Sequence, residues 1–345
     1  MKKLITILAV TFLTACGAAV EAQNQPPQGG GETGEDSGTH AMVFKIQGNP
    51  FGDRMFDGFR DAVETAGGTA IFSSPAAQTV EGQIQIIETL IAQGVDSITL
   101  AANDYTALNP VLQVARAQGI TVISVDSAVN ANVRDVHVNQ ADANGIASVL
   151  IEGIYDMLGG NGEFAILSET TTAVNQNLWI ELMLEYLEQP RFANLDMVSI
   201  AYGNAQMDMS VSETQGLLAS FPNLRGIISP TTVGIAAAAL VITDMGLIGD
   251  VVVTGLGLPS EMATYIENGA TPYMYLWNPI ELGYVAGQTV LALVSGEITG
   301  SVGESFTAGN FGNLTIVEDG DGTQVMMGNP YRFYPGNIDF WREVF

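Results

Sequence analysis

The sequence predicts an α/β protein of two doubly wound parallel-sheet lobes joined by a hinge that the chain crosses more than once. Three observations carry this. Short β-branched runs alternate with helix-length stretches, the strand-like runs are apolar almost throughout, and two series of similar pacing follow one another without a Gly/Ser/Pro-rich linker. A strand with no polar face must be covered on both sides, and strand–helix alternation does this in parallel sheets.

The first series has strand-like runs at residues 42–47, 69–73, 97–101 and 121–125, with helical stretches at 54–66, 80–92 and 107–117 between them. The second has strands at 163–167, 196–202, 226–229 and 251–254, with helices at 145–158, 177–188, 207–220 and 234–245. The two meet near residues 126–139. Segments 271–276, 280–294, 311–317 and 324–327 read as elements returning to complete the lobes. The expected division is an N-terminal lobe of residues 41–137 plus about 271–296, and a C-terminal lobe of 138–270 plus about 300–345. Two independent domains on a flexible linker would be the alternative. The missing linker favours a hinged cleft.

Residues 1–15 have the form of a lipoprotein export signal: Lys2-Lys3, an apolar run from Leu4 to Leu13, and small residues before Cys16. Leu13-Thr14-Ala15-Cys16 has the form of a lipobox, so Cys16 is expected to carry a diacylglycerol anchor on the extracytoplasmic face of a membrane. It is the sole cysteine, and no intramolecular disulfide can form. Residues 16–40, rich in Gly, Gln, Glu and Pro, read as a disordered tether.

Hydrophobic residues make up 47% of the chain and charged ones 14%, which suits a well-buried core and excludes a disordered chain. The formal net charge is −26, and loss of Lys2 and Lys3 would make it more negative still. With no basic stripe to displace counterions, nucleic acid is excluded as a partner. Beyond the signal the only lysine is Lys45, which closes the apolar run Ala41-Met42-Val43-Phe44. A cation at the carboxyl end of a buried strand sits where open α/β sheets bind ligands. A surface lysine surviving compositional drift is the plain alternative.

Other polar groups gather at the same kind of place. Asn49, Phe51 and Asp53 follow the first strand, Asn103 and Asp104 the third, and Asp126 and Ser127 the fourth. In the second series, residues 170–177 (with Asn175 and Gln176), then Pro230-Thr231-Thr232, then Gly255-Leu256-Gly257 follow strands. Each has a plain reading as a turn former, and Asp53, Asp104 and Thr232 as helix caps. Their joint placement marks a ligand crevice. Phe51, Trp179 and Trp277 each lie near an asparagine, as flat walls beside hydrogen-bonding side chains would for a sugar ring. For Trp179, core packing competes with that role.

Enzyme chemistry finds little support. Cys16 is taken by the anchor, His40 falls in the tether as bounded, and His137 sits in an alternating strand. No Gly-x-Ser-x-Gly elbow occurs, the ligands for zinc are too few, and no cofactor or metal is expected. Paired carboxylates for glycoside cleavage are not singled out by spacing.

These residues resemble the type I periplasmic sugar-binding proteins of ABC importers, in the branch of rhamnose-binding and autoinducer-2-binding proteins. The stretches that carry the likeness are Glu81-Gly82-Gln83, Ala101-Ala102-Asn103-Asp104, Val125-Asp126-Ser127, Asn175-Gln176-Asn177-Leu178-Trp179, Pro230-Thr231-Thr232-Val233-Gly234, Thr254-Gly255-Leu256-Gly257-Leu258-Pro259 and Leu276-Trp277-Asn278-Pro279. The resemblance implies a monomeric, non-enzymatic protein that binds a monosaccharide between its lobes and hands it to a membrane permease. It implies ligand contacts at Lys45, Asp126, Gln176 and the carbonyl of Pro230. Where autoinducer-2 binders carry Asp and Ala, this chain has Asn175 and Thr232, and these departures point toward a deoxyhexose such as rhamnose. Phe51, Asn103 and Trp277 complete the expected site. A sensor for a chemoreceptor or kinase, and an exported carbohydrate-active enzyme, are the rival readings. A transcriptional regulator of related fold is opposed by the export signal and the missing basic helix-turn-helix.

Overall fold

The computed structural model describes residues 37–345; the signal, Cys16 and residues 17–36 of the tether lie outside the described residues. The first lobe opens with β1 (Thr39–Val43), α1 (Pro50–Thr65), β2 (Thr69–Ser73), α2 (Val80–Gln93), β3 (Ser97–Leu100), α3 (Asn109–Ala117), β4 (Thr121–Val125) and β5 (His137–Asn139). The second contains α4 (Ala143–Met157), β6 (Gly162–Ser168), α5 (Val174–Leu187), β7 (Leu195–Tyr202), α6 (Met207–Ser220), β8 (Leu224–Ser229), α7 (Thr232–Asp244), β9 (Val252–Gly255), α8 (Pro259–Glu267) and β10 (Met274–Leu276). The chain then runs through α9 (Pro279–Val294), β11 (Ser305–Thr307), β12 (Asn313–Thr315), β13 (Val317–Asp319), β14 (Gly322–Met326), β15 (Tyr331–Phe333) and α10 (Ile338–Trp341).

The first sheet has the order β13-β14-β5-β4-β3-β1-β2, parallel except for the β13–β14 hairpin. The second has the order β7-β6-β8-β9, all parallel. In both, the first strand of the lobe is flanked by the second and third, so the order reverses direction beside β1 and beside β6. Ligands of open α/β sheets bind at the carboxyl ends of the strands on either side of such a reversal.

Alternation along β1 explains its unbroken apolarity. Ala41 and Val43 pack with Ile87 and Leu90 of α2 and Leu112 of α3. Met42 and Phe44 pack on the other face with Met55 and Phe59 of α1 and Leu282 and Val285 of α9. Each large, fully buried apolar side chain contributes about 1.5–3 kcal/mol relative to exposure. Helices α1 and α9 approach to backbone contact. A Cβ on Gly58 would lie 1.8 Å from the Ile280 carbonyl oxygen, and one on Gly283 1.7 Å from that of Met55.

Several boundaries differ from those expected. Strand β1 starts at Thr39, so His40 is not tether: it is buried, with Nδ1 2.8 Å from the Ser97 hydroxyl and Nε2 2.7 Å from the Ser37 carbonyl. Helix α1 starts at Pro50, because Asn49 caps it through the amides of Phe51 and Gly52 while Pro50 takes the first turn; Asp53 lies inside that turn and is not the cap. Helix α5 starts at Val174, which puts Asn175 and Gln176 on a helical turn and not in a loop.

Lobe membership also differs. Strand β5 reaches Asn139 and pairs with β4, so the first lobe runs past residue 137. Strand β10, expected in the first lobe, pairs with β15, and its Tyr275 bridges Leu256 just after β9, in the second. Strands β13 and β14, expected in the second, extend the first sheet by pairing β14 with β5. Only the segment from β15 onward rejoins the second lobe, where the Ser260 amide donates to the Phe345 carbonyl. The described chain therefore crosses between lobes near residues 140, 277 and 328. Hydrogen-bonding partners decide which lobe a strand serves, and spacing along the chain carries no record of them.

Candidate ligand-binding cleft

The carboxyl ends of β1 and β4 face those of β6 and β8 across one cavity. Its empty space, counting the part open to solvent, is about 390 Å³. The first lobe brings Lys45, which lies two residues beyond β1. Its Nζ is 2.9 Å from Asp126 Oδ2 in a pair that is almost wholly buried, and it donates across the cleft to Asn175 Oδ1 at 3.3 Å. Asp126 adopts a left-handed conformation, φ 60°, at the end of β4, and its Oδ2 also accepts from the Ser127 hydroxyl at 3.2 Å. Aspartate tolerates that region better than most residues, and the turn swings its carboxylate toward Lys45.

The electrostatics of the pair follow from its surroundings. Burial alone would push the Lys45 ammonium down, but the carboxylates of Asp126 and Glu169 outweigh it and hold the group above the ordinary lysine value. The amine is therefore charged at neutral pH and remains a donor. Glu169, just past β6, is buried too, with Oε1 accepting from Gln78 Nε2 at 2.6 Å and Oε2 from Gln176 Nε2 at 2.5 Å. One cation and two carboxylates thus line the cavity, a balance that repels an anionic ligand.

The opposite lobe supplies Asn175 and Gln176 from the first turn of α5, and Pro230 and Thr232 from the β8–α7 junction. Gln176 Oε1 and Trp277 Nε1 are buried without a protein hydrogen-bond partner. Buried polar atoms are rarely left unpaired, so an acceptor and a donor are held ready at this wall for something polar. The apolar wall is a run of rings in edge or tilted contact. Phe44 lies 6.3 Å from Phe51, Phe51 6.1 Å from Trp277, and Trp277 5.8 Å from Trp179, centroid to centroid. Leu256 and Leu276 complete it. Asn278 caps α9 through the amides of Ile280 and Glu281, fixing Trp277 at the crossing just before it.

Of the residues anticipated from sequence, Lys45, Phe51, Asp126, Asn175, Gln176, Pro230, Thr232 and Trp277 meet at this cavity. Asn103 does not line it. Its amide nitrogen donates to the Lys45 carbonyl at 3.0 Å and the Thr79 carbonyl at 3.3 Å, while its backbone amide donates to Gln83 Oε1 at 2.9 Å. Gln83 in turn donates to the carbonyls of Phe44 and Ala101. Asn103 and Gln83 therefore tie the ends of β1 and β3 together and position Lys45 from behind. Asn103→Ala is expected to destabilise the fold by about 1–3 kcal/mol, because it removes the donor from two carbonyls, and to weaken ligand binding less than loss of Lys45 does. Denaturant unfolding and calorimetry check both. An unchanged unfolding midpoint would contradict the positioning role.

Glu169 is not among the residues anticipated, because the polar group expected after that strand begins at Thr170. The signal available was its place directly after the first strand of the second lobe, which mirrors Lys45 in the first. Trp179 and Phe44 had packing roles in prospect, and both pack while also facing the cavity.

This chain belongs to the periplasmic binding proteins: the pattern for a periplasmic binding protein domain matches residues 40–298. Within them it is a sugar-binding solute-binding protein of the ABC-transporter type, and members of this family are transport proteins and not enzymes. It is 44% identical to an ABC-transporter solute-binding protein from Clostridium phytofermentas, solved with bound L-rhamnose. That likeness covers 89% of this chain and 99% of the other at a TM-score of 0.87. A D-ribose/D-allose-binding protein of Pseudomonas aeruginosa is 24% identical over 84% of this chain and 91% of its own length. The LsrB protein of Clostridium saccharobutylicum, solved with AI-2, shares the fold at a TM-score of 0.83 and 21% identity, over 88% of this chain and 99% of that one. Among the described residues, no helix is long and apolar enough to cross a membrane.

Proposed function

We propose that this protein is the lipid-anchored capture component of an ABC importer and closes on one molecule of L-rhamnose or a similar 6-deoxyhexose. The observation that carries the reading is the buried Lys45–Asp126 pair facing Asn175 and Gln176 across a cleft with an aromatic and leucine wall. Hydroxyls on one side of a sugar ring take the charged and amide groups. The C–H faces and the methyl group of a deoxysugar take Phe51, Trp277, Leu256 and Leu276, where a terminal hydroxyl would lose its partners. The L-rhamnose bound to the 44% identical relative supports the same class. Cys16 would hold the protein on the outer face of the membrane as a monomer, with residues 17–36 giving reach to the permease.

A thermal-shift and calorimetry screen tests this. L-Rhamnose is expected to raise the melting temperature most, since a ligand of the folded form stabilises by mass action. L-Mannose, which restores the terminal hydroxyl, should bind about tenfold or more weakly, and a uronic acid should not bind. A larger shift with autoinducer-2, or equal affinity for L-mannose, would overturn the deoxysugar assignment. No shift with any sugar would overturn the function.

A further inference from the structure

Two side-chain hydrogen bonds cross the cleft among the described residues, and only one of them involves Lys45. The other joins Gln78, in the turn between β2 and α2 of the first lobe, to Glu169 at the end of β6 in the second. We propose that Glu169 is the latch of the closed cleft, held by Gln78 from one lobe and Gln176 from the other. It goes beyond the assignment of ligand groups, although it rests on reading the cavity as a sugar-binding cleft.

The geometry argues for a latch over a simple packing contact. Both carboxylate oxygens of a buried side chain are engaged, each by a neutral amide, at 2.6 and 2.5 Å. Hydrogen bonds to a carboxylate are about twice as strong as those between neutral groups. Gln78 comes from the opposite lobe and is not among the cavity walls, so replacing it removes a cross-cleft bond while leaving every group that lines the cavity in place. Gln176, by contrast, serves both sides: its Nε2 binds the latch, and its Oε1, lacking a protein partner, is left for a ligand hydroxyl. A hydroxyl donating to Oε1 polarises the amide and strengthens its donation to Glu169. Ligand capture and latching are coupled through this one amide.

The test uses the full chain with Cys16→Ser and spin labels on Glu88→Cys of α2 and Gln215→Cys of α6, both exposed positions on opposite lobes. Gln78→Ala is compared with its parent by pulsed electron spin resonance, and by stopped-flow tryptophan fluorescence with L-rhamnose. The latch predicts L-rhamnose dissociation faster by about 5- to 20-fold with association nearly unchanged, since the lost bond forms only after closure. It also predicts a label-distance distribution shifted to longer values. Adding Gln78→Ala to Glu169→Gln should accelerate dissociation by much less than it does in the parent, because both changes touch one bond. Equal dissociation rates and superimposable distributions would overturn the latch. If the parent binds no sugar, the proposed function fails, and the unliganded distributions alone decide the latch. A shift on Gln78→Ala supports it, and coincidence overturns it.

Discussion

Lys45→Met weakens binding of L-rhamnose by about 2–4 kcal/mol, a loss of roughly 30- to 1,000-fold, as measured by calorimetry. Methionine keeps the length of the aliphatic stem, so the loss reports the charge. Removing the ammonium leaves Asp126 and Glu169 buried without the cation that lines their cavity, and truncating one side of a buried pair is far costlier than the pair's own net worth. Unliganded Lys45→Met should also unfold at lower denaturant. The dependence on pH has a definite sign. The folded-state value of Lys45 is raised, so its stabilising contribution is complete below the ordinary value of 10.5 and is lost as pH rises through the higher folded value. Binding should therefore be insensitive to this group across neutral pH and fail in strong alkali. Unaltered affinity in Lys45→Met would remove the central claim about the site.

Gly283→Val is expected to destabilise the protein by about 3 kcal/mol or more, read by thermal and denaturant unfolding. A Cβ there would sit 1.7 Å from the Met55 carbonyl oxygen, a backbone atom that no rotamer change moves aside. Helices α1 and α9 would have to part along their contact. Because α1 carries Phe51 on its first turn and α9 follows directly on Trp277, the same change should loosen the aromatic wall and weaken sugar binding in whatever protein remains folded. Gly283→Ala tests the same contact with a single methyl. A variant as stable as its parent would show that the two helices can shift apart freely.

The parts legible in the sequence were those with a periodic physical cause. Strands such as Thr121–Val125 are apolar on both faces because helices cover both, and that leaves a continuous run to read. Lys45 stood out because beyond the signal there is no other lysine, and Asp126 and Gln176 because they follow strands. Residues acting through backbone atoms left weaker traces. Asn103 has the composition of a ligand contact yet spends its amide on carbonyls, and nothing local distinguishes the two uses. Glu169 draws its partners from 91 residues earlier and 7 residues later, a pairing that only the closed tertiary structure creates. Strands β13 and β14 lie in the lobe opposite to the one expected for a similar reason: β14 pairs with β5 across nearly two hundred positions of chain.

The solitary lysine of the described residues gives the molecule a built-in chemical reporter. That residue is only about 5% exposed while the lobes are together, so an acylating reagent reaches its amine only through excursions that part them. Labelling at that one side chain, followed by mass spectrometry, would clock domain breathing in unmodified protein without any fluorophore, and occupancy by a slowly released sugar would appear as protection.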